Sequence, residues 1–242
     1  MSIVIGFLGN SVAIVIVAKV LLSRQTVPNV LILLLAFIDL FTIIFGFVPA
    51  LLNYFCGLYI ARASLCNFQG FCLNFLYLMS ITMVSCLSFD RFLALYTPFF
   101  YKAQAVFNCK KIALAFTLSC SIAMVVSLLP SFGLGRHVLH YPGTFCMFQL
   151  NPTDLGGKIT LNTNLSYLLA CMFIVVACNS AVSWKSYKML KRSRKQRPSM
   201  NLEETGSSLS ICSTDECQFL KLGIIVMTSF LCCWTVLMVS KA

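Results

Sequence analysis

The sequence predicts an all-α protein that resides in a lipid bilayer. Three observations carry this: the scarcity of charge, the length of the apolar runs, and the lopsided placement of Lys and Arg. Hydrophobic residues make up 59% of the 242 and charged residues only 10%, with a mean hydropathy of +0.89. A water-facing domain has about a quarter of its residues charged. This chain has too few charges to cover an aqueous surface.

A membrane helix needs about 20 predominantly apolar residues. Six stretches meet this, at 2–18, 30–55, 64–96, 112–132, 160–184 and 218–240. Met1 to Ala18 lacks a basic leading region and a small-residue cleavage site, so it reads as a first span, cut short at its outer end, and not as a cleaved signal. The third stretch is long and carries polar residues, as a central helix would. The one polar linker, 185–217, has a basic half and then a Ser/Thr/acidic half from Asn201 to Glu216, and is expected to be a mobile loop. The whole, 1–242, reads as a single transmembrane helical domain.

Net charge is +11, and much of it is clumped at Lys185, Lys188, Lys191, Arg192, Arg194, Lys195 and Arg197. This run directly follows an apolar span, so it reads as a cytoplasmic flank and not as a nucleic-acid surface. With the N-terminus outside, the inner loops hold Lys19, Arg24, Arg91, Lys102, Lys110, Lys111, the basic run and Lys221. The outer loops hold Arg62, Arg136 and Lys158. The excess of Lys and Arg inside sets an extracellular N-terminus. Six spans then leave Ala242 outside.

Thirteen Cys cannot all pair, and no Cys/His cluster has metal-ligand spacing. No metal or cofactor is expected. Cys72, Cys86, Cys120, Cys171, Cys178, Cys232 and Cys233 lie in apolar runs, where Cys acts as a small hydrophobe. Cys66 and Cys146 both fall on the oxidising outer side. A bridge between them would tie the second outer loop over the bundle mouth, with Cys56 as a rival partner. His137 and His140 lie in that loop, and the acids are scattered. No nucleophile–base–acid set appears, so the chain is read as a non-enzyme.

Asp39 stands alone among the apolar residues Leu31–Phe47. An ionised carboxylate there costs at least about 2.5 kcal/mol. It is either an ion or proton site facing the bundle interior or a neutral, hydrogen-bonded Asp near a kink, with Asn10 and Ser80 as polar neighbours. Asp90 and Arg91 close the third span. They form either a helix-end cap, where a cation meets the dipole favourably, or a switch that releases Arg91 to a cytoplasmic partner. Asn164-Leu165-Ser166 is a candidate glycosylation sequon, but its closeness to the membrane argues against modification. The absence of internal repeats and of charge along several spans argues against a transporter or channel.

Together these features resemble the rhodopsin-like G-protein-coupled receptors. Gly9-Asn10 is similar to the first-span motif and Leu35-Ala36-Phe37-Ile38-Asp39 to the second-span L-A-x-x-D. Cys66 precedes Arg91 at that family's spacing, and Asp90-Arg91-Phe92 is similar to D/E-R-Y. Cys233-Trp234 is similar to the start of C-W-x-P, with Val236 replacing the Pro. Leu129-Pro130-Ser131-Phe132-Gly133-Leu134-Gly135, followed by Tyr141-Pro142-Gly143-Thr144-Phe145-Cys146, resembles the prostanoid branch, L-P-x-x-G-x-G and then Q-Y-P-G-T-W-C. His140 stands for the Gln and Phe145 for the Trp. Ala177-Cys178-Asn179 also resembles that branch. Within the branch, the segment from Asp90 to Tyr101 leans towards receptors of the stimulatory G protein, and Trp234 towards the contractile ones.

The resemblance implies a seven-helix bundle, represented here by six spans, that binds a prostanoid lipid of the prostaglandin E type or a related one. It implies a Cys66–Cys146 bridge, and ligand carboxylate contacts from Tyr54 and Thr144. The family's third contact, an Arg in the seventh span, has no counterpart before Ala242. The implied partners are a heterotrimeric G protein, membrane lipids and a receptor dimer, and the implied location is the plasma membrane. Glu216, at a suitable distance before Trp234, is read as an acid facing Arg91. The alternative reading is a truncated, non-signalling variant that pairs with or retains full-length receptor.

Overall fold

A computed structural model describes residues 2–23, 26–56, 63–97, 109–140, 143 and 145–196. Among them, five helical segments are long and apolar enough to cross a membrane: Ile3–Ser23, Val27–Cys56, Ser64–Tyr96, Ala113–Phe132 and Leu155–Met189. The expected span at 218–240 lies outside the described residues.

The first span is α1 (Ser2–Ser23). The second is α2 (Val27–Thr42) and α3 (Val48–Cys56), joined by a wide π turn at Ile43–Phe47. Thr26 is extended and Pro28 occupies the first turn of α2, where a missing N–H costs nothing. Pro49 explains the π turn. It has no N–H to return to the preceding turn, and its ring crowds the carbonyls there. The Gly46 carbonyl accepts a 2.7 Å hydrogen bond from Gln69 Nε2 on the third span. A neighbouring helix thereby supplies a donor beside the break, as buried backbone in lipid requires. A Cβ on Gly46 would meet Leu73 Cδ2 at 2.3 Å, so any larger residue here would displace the Leu73 side chain.

The third span, α4 (Ala63–Tyr96), is the hub, touching the second, fourth and fifth spans and the outer strands. One buried cluster joins Leu31 and Ile38, then Leu76, Leu78, Met79 and Met83, then Ala123 and Val126, from three neighbouring spans. A second joins Ile81 to Leu168 and Cys171. Phe37, Phe41, Val125 and Phe173 stay exposed, as apolar side chains can when the surrounding solvent is itself apolar.

The fourth span, α5 (Cys109–Leu128), ends in a 3-10 turn at Leu129–Phe132. Gly133 and Gly135 follow with φ of 86° and 107°, left-handed values that suit glycine. They bring this turn onto the start of α6 (Leu155–Gln196). A Cβ on Gly156 would lie 3.0 Å from Leu134 Cα, and Thr160 Oγ1 donates to the Leu134 carbonyl. Asp154 caps α6 by accepting the Gly157 N–H at 2.8 Å. That bond holds its carboxyl below the usual carboxylate range.

Two helices extend beyond the sequence expectation. The first helix runs on to Ser23. The fifth starts at Leu155 and continues to Gln196, so the first part of the expected mobile loop is helical. Lys, Arg, Met and Leu are good helix formers. No Gly or Pro interrupts the run until Pro198, which disfavours helix in the residue before it.

Candidate functional site

One mouth of the bundle, the one expected to face outside, is covered by an antiparallel strand pair, β1 (His137–His140) and β2 (Phe145–Phe148), with Leu139 opposite Cys146. Cys66 and Cys146 are bridged, with Cα atoms 5.3 Å apart, and the rival Cys56 is free and exposed. The bridge nails β2 to the top of α4. One turn below it, the fully buried Gln69 accepts the Cys146 N–H at 2.8 Å. The same side chain donates to Gly46, so one amide joins the lid, the third span and the π turn of the second.

His137 packs its ring against Gly70, where a Cβ would come within 2.4 Å of Cδ2. Its Nε2 is buried without a hydrogen-bond partner among the described residues. Burial pushes the imidazole below its ordinary value, because a charged ring there would lose its hydration.

Tyr54 lies at the outer end of α3, 70% exposed and edge-on to Phe55. Thr144 lies outside the described residues. Its neighbour Gly143 accepts a 2.8 Å hydrogen bond from Asn53 Nδ2. The residue before Tyr54 is therefore tied to the residue before Thr144. Asn164 is buried inside α6 and donates to the Thr160 carbonyl, which leaves the sequon nitrogen engaged.

At mid-depth Ser80 Oγ donates to Asp39 Oδ1 at 3.3 Å. Asn10 does not join them, since its amide turns back to the Gly6 carbonyl of its own helix. The third and fifth spans are laced together towards the other end. The Thr82 and Tyr167 hydroxyls meet at 2.6 Å, Ser85 donates to the Cys171 carbonyl at 3.3 Å, and Asn179 donates to Ser88 Oγ at 2.9 Å. Tyr96 reaches the Ala181 carbonyl at 3.0 Å. Lys185 Nζ closes the ladder on the Leu95 carbonyl at 2.8 Å and sits 4.4 Å from the Tyr96 ring centroid.

Asp90 is buried and Arg91 half-buried just above those last rungs, and both are engaged with other groups. Glu216 and Trp234 lie outside the described residues. Among the described residues, no group of three or more His, Cys, Asp or Glu side chains could hold a metal ion.

The family described as 7 transmembrane receptor (rhodopsin family) matches residues 9–242. The chain belongs to that receptor family. Squid rhodopsin shares the fold, with a TM-score of 0.75 at 20% identity over 96% of this chain and 66% of that one. Similar curated proteins include the prostacyclin receptor of Bos taurus, 27% identical over 80% of this chain and 51% of that protein. The prostaglandin E2 receptor EP4 subtype of Rattus norvegicus is 28% identical over 78% and 38%. The chain thus spans about half or less of the length of these relatives. Rhodopsin-family receptors are signal transducers and not enzymes, and this one is a multi-pass membrane protein related to the prostanoid branch.

Asn53 and Gln69 were not singled out from the sequence. The signal that finds them is general: an amide inside an apolar helix must be paired where no water reaches.

Proposed function

We propose that this rhodopsin-family chain is the helical domain of a plasma-membrane receptor for a prostanoid lipid acid. Its N-terminus is extracellular, and it signals to a heterotrimeric G protein through the inner ends of its spans. Residues 1–242 are read as one domain. Ligand binding at the outer mouth shifts the population between closed and open inner faces. Asp90, Arg91 and Glu216 form the inner switch, and Asp39 with Ser80 forms a polar link between second and third spans.

The observation that supports the ligand site is the Asn53–Gly143 hydrogen bond. A carboxylate leaves water only when charge-assisted hydrogen bonds replace its hydration. Tyr54 and Thr144 each offer a hydroxyl, and the Asn53 amide draws their two segments together. The test is saturation binding of a radiolabelled prostaglandin to membranes of cells expressing the chain with a seventh span of the family fused after its sixth. Tyr54→Phe and Thr144→Ala are each expected to cost about 1.5–3 kcal/mol, roughly ten- to a hundred-fold in affinity. Wild-type affinity in both variants would overturn the site. Absence of saturable binding to any prostaglandin would overturn the ligand class.

A further inference from the structure

The fifth span is much longer than a bilayer is thick. Its helix, α6, has 42 residues, which at 1.5 Å per residue is about 63 Å, against about 30 Å of hydrocarbon. Its first turn is fixed beneath the outer lid by the contacts of Gly156 and Thr160 with Leu134. The excess length therefore projects from the opposite side of the membrane.

The rotation of that projecting part is also fixed. Lys185 and Ala181 face the third span, through Leu95 and Tyr96. Trp184 and Tyr187 then face away, 60% and 56% exposed, with ring centroids 6.5 Å apart. Lys188 Nζ lies 5.2 Å from the Trp184 ring centroid, and Lys191 is exposed one turn further on. Positions 184, 187, 188 and 191 form one stripe by helical spacing, and Lys195 continues its register. No Asp or Glu occurs between Asp154 and Glu203, so no acid on this helix neutralises the stripe.

We propose that the stripe Trp184–Tyr187–Lys188–Lys191 binds the head group of an anionic, multiply phosphorylated lipid of the cytoplasmic leaflet. The site rests on the orientation given under the proposed function. The stripe continues the exposed apolar surface of Phe173 and Val176, so a partner that covers both lies at membrane level and is itself part apolar. Exposed Trp and Tyr rings mark the head-group depth, and cations just beyond an apolar span attract anionic lipid. Lys188 and Lys191 lie one helical turn apart. They offer two ammonium groups to one head group with two phosphates, whereas a phosphatidylserine head group satisfies one. A nucleic acid or a soluble acidic protein would have no use for the apolar half of the stripe.

The test is native mass spectrometry of the full chain in mild detergent, titrated separately with phosphatidylinositol bisphosphate and phosphatidylserine. The bisphosphate lipid should bind about five-fold more tightly, since it offers one more cation–phosphate contact and each is worth roughly five-fold. Lys188→Gln with Lys191→Gln should erase that preference, and Lys188→Arg with Lys191→Arg should keep it. Lys110→Gln with Lys111→Gln, in a different inner loop, should leave it unchanged. Wild-type binding by the double Gln variant would overturn the proposal. So would equal loss in the Lys110/Lys111 control, or equally tight binding of soluble inositol trisphosphate. Detergent titration is blind to membrane orientation, so an inverted topology would fail the epitope experiment described below without touching this result.

Discussion

Gln69 has its two amide atoms on two different neighbours, the Gly46 carbonyl and the Cys146 N–H. Without it, both backbone groups would stay buried and unpaired, at about 1–3 kcal/mol each. Gln69→Met, close in volume but with no amide, is expected to lower the thermal unfolding midpoint in detergent by several degrees. An unchanged midpoint would show that neither bond matters to stability. The residue scale is also where the sequence was least informative. Asp39 and Cys66 stand out by charge or by motif. Gln69 and Asn53 are single polar residues in apolar helices, and their importance lies in partners far along the chain. Asn74 and Ser127 are equally inconspicuous in the sequence, and their polar atoms are buried without hydrogen-bond partners among the described residues.

The outer strand pair behaves as one element held by a bridge, an amide and a histidine. Burial lowers the His137 pKa from the ordinary 6.5. The folded lid therefore binds fewer protons at this site than the unfolded chain, and stability rises with pH. The contribution is complete above about pH 6.5 and is lost as pH falls through that value towards the depressed one. The third span carries no charged side chain between Arg62 and Asp90, and β2 carries none, so no neighbouring acid on those elements offsets the effect. Reduction of the Cys66–Cys146 bridge by a mild thiol should be faster at pH 5.5 than at pH 7.5, at matched thiolate concentration. His137→Leu should flatten that difference, and a pH step of equal size in the variant would exclude His137 as its source. At the element scale hydropathy located the helices well. It missed the π turn, which follows from Pro49 and leaves no mark on hydropathy, and the strand pair, which depends on a bridge to another span. It also ended the fifth helix early, because charge reports where the membrane stops and not where the helix does.

For the molecule as a whole, the third span organises everything else: the lid at one end, Asp39 at mid-depth, and the ladder to the fifth span below. An all-α membrane bundle was legible from composition alone, because no other architecture suits so little charge and such long apolar runs. The proposed orientation rests on the distribution of Lys and Arg alone. A short epitope inserted between residues 200 and 212 should be stained only after permeabilisation. Its staining on intact cells would invert the topology and with it the assignment of the inner switch.

The bridge that closes the lid joins cysteines 80 residues apart, with two membrane spans between them. At a synthesis rate of about 5–20 residues per second, Cys146 is made about 4–16 s after Cys66. In the proposed topology Cys66 spends that interval in an oxidising lumen while its partner is still being made, and Cys56 is already close at hand. Closure of the lid is therefore a late event in biosynthesis, and the earliest available pairing is the wrong one.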